Sequence, residues 1–73
     1  MSVGDNIRCI REKRKLSQAY VARQTQVTPQ MICQIERGTR SPSLQLGADI
    51  AKALGCSLED LLTGGAEKPA DTK

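Results

Sequence analysis

"SQAYVARQTQVTPQMICQIERGTRSPS", residues 17–43, decides the fold: two short helix-like runs are joined by four residues. Ser17 is a hydroxyl N-cap for the first run, which extends from Gln18 to about Gln24 and turns Val21 and Ala22 inward. Thr28 caps the second run, and Pro29 takes its first helical position, where the missing N–H costs nothing. Gly38 supplies the left-handed residue that ends it. Met31, Ile32 and Ile35 mark its apolar side. Gln30 and Gln34, four residues apart, share another face and look like neither core nor catalyst.

Upstream, "SVGDNIRCIREKRK" (residues 2–15) predicts a helix from about Val3 to Lys15. Ser2 and Asp5 form an acidic variant of the capping box, and Ile7, Ile10 and Arg14 lie on one face. Downstream, the loop "TRSP" leads to Ser43, the cap of a fourth helix with an inward stripe of Gly47, Ile50, Ala51 and Leu54, closed by Gly55. "SLED" (residues 57–60) opens a short fifth helix carrying Leu58, Leu61 and Leu62. Gly64 and Gly65 end the pattern. The expected organisation is one domain over residues 1–64 and a polar, disordered tail, "AEKPADTK" at its end, over 65–73.

Composition agrees with an all-α, compact five-helix bundle. Of 73 residues 38% are hydrophobic, and Tyr20 is the only aromatic, so the core is aliphatic and lacks the enrichment expected of a sheet protein. No apolar run reaches the roughly 18–20 residues of a membrane span, and no signal-peptide core is present at the start, which together suggest a cytoplasmic protein. Cys9, Cys33 and Cys56 are odd in number and widely spaced, and histidine is absent, so no metal site and no cofactor are expected. The cysteines read as reduced packing thiols. Without histidine or paired carboxylates in a pocket-forming context, the chain has no acid–base site, and an enzyme is not expected.

Charge is unevenly placed. Residues 1–40 hold Arg8, Arg11, Lys13, Arg14, Lys15, Arg23, Arg37 and Arg40 against Asp5, Glu12 and Glu36, leaving +5. Residues 41–73 hold Lys52, Lys68 and Lys73 against Asp49, Glu59, Asp60, Glu67 and Asp71, leaving −2. That asymmetry suits a polyanion on one side and solvent or a partner on the other. A helix of about this girth fits the major groove of duplex DNA, and glutamine can pair bidentately with adenine N6 and N7. Gln30 and Gln34 are therefore candidate base readers.

The pieces "IREKRKLSQ", "IERG" followed by "SPSLQL", and "LGCSLEDLL" resemble the Xre/Cro family, the helix-turn-helix fold of lambda- and 434-type phage repressors. The resemblance covers about Asn6 to Leu62. It implies a transcriptional regulator, most often a repressor, whose third helix enters the major groove of double-stranded DNA. It places Thr28, Pro29, Gln30 and Gln34 at the bases, with Met31 or Cys33 at the edge. Gln18 and Arg40 fall at DNA backbone positions, and Arg23 and Arg37 are secondary phosphate contacts. Arg11 and Glu36 match a family pair that bridges the first and third helices. Such proteins bind near-palindromic operators as homodimers. Here the dimer surface is expected at Leu46, opposite the inward stripe, with Leu58 and Leu62, and Leu44 beside them.

Three departures from the family pattern stand out. Gln26 occupies a turn position usually held by glycine, and it predicts a left-handed residue. Gly47 replaces a larger apolar residue, which either weakens the fourth helix or lets another helix approach. Tyr20 replaces an acidic residue, and two readings stand: a hydroxyl donating to phosphate, or an exposed tyrosine. One rival function also stands: an antitoxin or adaptor that chiefly binds another protein, against which the short polar tail offers little wrapping surface. A redox-responsive variant of the regulator would act through Cys33.

Overall fold

The computed structural model describes residues 2–63 as five α-helices: α1 (Val3–Lys13), α2 (Gln18–Thr25), α3 (Pro29–Arg37), α4 (Leu44–Leu54) and α5 (Leu58–Thr63). The tail expected at 65–73 and the boundary at 64 lie outside the described residues. Each helix starts on a hydroxyl. The Ser2, Ser17, Thr28, Ser43 and Ser57 oxygens accept from the backbone N–H three residues on, at 2.9–3.2 Å. Asp5 and Asp60 return the bond to the capping residue's own N–H, completing two capping boxes.

The first four helices end alike. A left-handed residue follows each: Lys15 (φ 58°), Gln26 (φ 61°), Gly38 (φ 85°) and Gly55 (φ 80°). At each end the next residue's N–H reaches back five residues, as in Leu16 to the Arg11 carbonyl at 3.0 Å and Val27 to the Ala22 carbonyl at 3.0 Å. Thr39 and Cys56 do the same to Gln34 and Ala51. This is the Schellman arrangement, which satisfies carbonyls the helix leaves open. Gln26 adopts the left-handed conformation its position predicts. Lys15 adopts one too, so α1 stops at Lys13 rather than at Lys15.

The core is aliphatic throughout: Ile7 and Ile10 from α1, Val21 and Ala22 from α2, Ile32 and Ile35 from α3, Ile50, Ala51 and Leu54 from α4, and Leu61 from α5. Fully burying each of the larger side chains contributes about 1.5–3 kcal/mol. The α2 helix packs against both α3 and α4, while α1 lies against α3 and α5. Among the described residues there is no strand.

Three placements differ from expectation. Arg14 is not on the inward face of α1. It is exposed, and its guanidinium Nη1 donates to the Leu54 and Gly55 carbonyls. A cation at the C-terminus of α4 meets both open carbonyls and the negative end of the helix dipole. Leu46 does not lie opposite the inward stripe. Four residues before Ile50, it shares that residue's side of the helix and is half-buried against the core. Leu58 is likewise half-buried against the core, and a Cβ built on Gly47 would lie 3.4 Å from its Cδ1. Gly47 is thus where α5 comes close to α4. Leu44 and Leu62 remain the exposed leucines, at 78% and 59%.

Candidate nucleic-acid interface

The inward side of α3 is fixed by apolar burial and by one carboxylate. Ile32 and Ile35 are buried, and so is Glu36, whose side chain is 3% exposed. Burying a carboxylate without partners is costly, and Glu36 has three donors. Arg11 Nε lies 2.7 Å from Oε2, Arg11 Nη2 lies 3.1 Å from Oε1, and Gln18 Nε2 donates to Oε1 at 3.0 Å. A further Arg11 nitrogen, Nη1, donates to the Leu16 carbonyl at 2.9 Å. Hydrogen bonding to Glu36 raises the pKa of Arg11 above its ordinary value against the opposing effect of burial. The guanidinium is therefore held charged, and α1, α2 and α3 meet at the Glu36 side chain.

With that side locked, α3 turns the rest of its circumference outward. Gln30, Cys33, Gln34 and Arg37 fall at i, i+3, i+4 and i+7, one stripe of a helix. Gln30 and Arg37 are exposed, while Cys33 and Gln34 are half-buried. Among the described residues the Gln30 and Gln34 amides make no hydrogen bond to the chain. Each keeps one acceptor oxygen and two N–H donors available. Thr28 and Pro29 are exposed at the start of the helix. The Thr28 hydroxyl accepts from the Met31 N–H at 3.1 Å, and its own hydrogen stays free to donate. Met31 is half-buried against the core and is therefore less available than the exposed Gln30 beside it.

Three cationic side chains of the helix pair and the loop after it are uncommitted. Arg23 in α2, Arg37 at the end of α3 and Arg40 in the loop beyond are exposed, and none forms an ion pair among the described residues. Gln18 differs from expectation in detail. One amide hydrogen is spent on Glu36, so an outside acceptor can take only the other. Tyr20 stands exposed on α2. Cys9, Cys33 and Cys56 are half-buried and form no disulfide. Among the described residues no cluster of three or more His, Cys, Asp or Glu could hold a metal ion, and no helix is long and apolar enough to cross a membrane.

Two residues that tie α1 to its neighbours carry no clear mark in the sequence. Asn6 is buried and its Nδ2 donates to the Leu61 carbonyl at 2.7 Å, tying α1 to α5. Gly4 is buried where α1 meets α3. Asn6 stands next to Ile7 in a helical pattern, so a polar residue facing inward was the available signal.

A polar helix held outward by a second helix across a tight left-handed turn defines a helix-turn-helix module. The helix-turn-helix family pattern matches residues 7–61, and the chain belongs to that family of transcriptional regulators. It is 32% identical over 71 residues to an uncharacterized HTH-type transcriptional regulator, y4dJ, of Sinorhizobium fredii, across 97% of this chain and 92% of that protein. It is 34% identical over 62 residues to the immunity repressor protein of Bacillus phage phi105, covering 85% of this chain and only 43% of the repressor. The P22 c2 repressor is a structural neighbour twice. Its complex with a synthetic operator superposes with a TM-score of 0.80 at 34% identity, over 88% of this chain and 97% of that one. Its DNA-binding domain in solution gives 0.88 at 32% identity, over 94% and 91%.

Proposed function

We propose that this protein is a sequence-specific regulator of transcription, a repressor that binds double-stranded DNA as a homodimer at a near-palindromic operator, with α3 in the major groove. In this reading Gln30 and Gln34 pair with base edges, and Thr28 and Pro29 touch bases at the start of the helix. Pro29 offers only apolar contact, for instance to a thymine methyl, so discrimination falls mainly on the two glutamines. Gln18, Arg23, Arg37 and Arg40 meet phosphates, which set position and salt dependence but carry no sequence information. The single observation that carries the reading is the outward stripe of α3. Its glutamine amides have no partner within the described chain, while the opposite side is locked by Glu36.

A single module buries too little surface for operator-level affinity, which favours two copies. Leu44 and Leu62, rather than Leu46, are the exposed apolar residues available to join them, and they flank a groove lined by Val3, Pro42 and Leu61. Fluorescence anisotropy of a labelled duplex tests the reading. The affinity should fall linearly with salt on logarithmic axes, by about 0.9 per phosphate contacted. Affinity for every duplex that ignores salt would overturn it. Leu62→Asp should separate the copies in sedimentation while leaving the monomer folded.

A further inference from the structure

Gly4 lies in the first turn of α1 with ordinary helical backbone, so turn geometry does not explain it. Its surroundings do. A Cβ built there would stand 2.2 Å from the Ile35 carbonyl oxygen and 2.8 Å from that of Glu36. Both are backbone atoms, so no side chain can swing aside. Gly4, Ile7 and Arg11 fall at i, i+3 and i+7 and form one face of α1. That face meets the C-terminal half of α3 in two places, by close backbone approach at Gly4 and by the Arg11–Glu36 pair, and Ile7 between them is fully buried.

We propose that Gly4 is a positioning residue for DNA reading: the absence of a side chain lets α1 seat α3 at the depth and tilt that put Gln30 and Gln34 in register with base edges. This rests on the regulator reading above. Any L side chain at residue 4 forces α1 and α3 apart, since 2.2 Å must grow to the 3.4 Å at which ordinary contact begins. A helix moves as a body. Gln34 adjoins Ile35, and Gln30 lies five residues earlier, about 7.5 Å along the axis. Hydrogen bonds to bases work within about 2.7–3.2 Å, so a displacement on the order of 1 Å takes a bidentate amide out of range. Phosphate contacts from Arg23 and Arg40 sit on α2 and on a loop, outside the Gly4 contact, and their long side chains can follow the backbone of the duplex. The distinguishing effect is lost discrimination with retained salt dependence.

Gly4→Ala is compared with Asn6→Ala, which removes a buried bond to α5 instead of pressing on α3. Binding is measured on the full chain with a duplex recovered by selection from a random pool and with a scrambled duplex of equal length. For Gly4→Ala the preference for the selected duplex should drop about tenfold or more, with an unchanged salt slope on the scrambled one. Asn6→Ala, corrected for its folded fraction, should keep the preference. Amide chemical shifts of residues 30–37 should move in Gly4→Ala and not in Asn6→Ala. If Gly4→Ala is unfolded in buffer, all three proteins are compared in trimethylamine N-oxide, which favours the compact state. A folded Gly4→Ala with wild-type preference overturns the proposal. Absence of any salt-sensitive binding by wild type overturns instead the regulator reading on which it rests.

Discussion

The two sides of α3 are built on opposite rules. Inward, every polar group is committed: Glu36 takes three hydrogen bonds from two other helices, and Ile32 and Ile35 are buried beside it. Outward, the Gln30 and Gln34 amides have no partner among the described residues, and Arg37 is exposed with them. A helix that only had to fold would gain nothing from two adjacent uncommitted amides. Under the proposed function the inward side carries stability and the outward side recognition, and substitutions should separate the two.

The largest expected effect is inward. Arg11→Ala leaves Glu36 buried without its cation, and unfolding in urea should show a loss of about 3–5 kcal/mol. That is most of what a domain of this size possesses. A loss below about 1 kcal/mol would place the pair with ordinary surface bridges and erase the contrast. Gln34→Ala is the outward counterpart. It should relax preference at one base pair by about 1–3 kcal/mol, read by competition with singly substituted duplexes, while changing stability by no more than about 0.5 kcal/mol. Arg40→Ala should weaken every duplex alike and lower the salt slope by about one phosphate contact. Smallest is Gln26→Gly, at the turn between the two helices. Relief of a left-handed non-glycine should raise stability by about 1 kcal/mol, measured by thermal unfolding, with base preference unchanged.

Much of this was legible in the chain because local chemistry announces it. Five hydroxyl caps, Pro29 at the start of α3, and Gly38 and Gly55 after α3 and α4 fix helix positions without reference to the rest of the molecule. The sequence places the end of α1 late because Lys15 carries no glycine signal, although its backbone closes the helix in the same way as Gly38. The sequence pattern puts Leu46 on the wrong side of α4 because a single stripe of small and large residues fixes the helix's rotation only to within one position. Arg14, Asn6 and Gly4 act across 31 to 55 residues of sequence, on carbonyls at α4, α5 and α3. Backbone carbonyls are the same in every residue, so nothing at the receiving end marks such partners. The spacing of Gln30 and Gln34 shows in the sequence for the converse reason: among the described residues their amides bond to no other part of the chain.

Selection of duplexes from a random pool, run in parallel with wild type and Gln34→Ala, tests the central claim most directly. Wild type should enrich a site with two-fold symmetry, and the variant should lose preference at one base pair in each half while keeping the rest. The same consensus from both proteins, or no enrichment by wild type, would contradict the assignment of recognition to the outward side of α3.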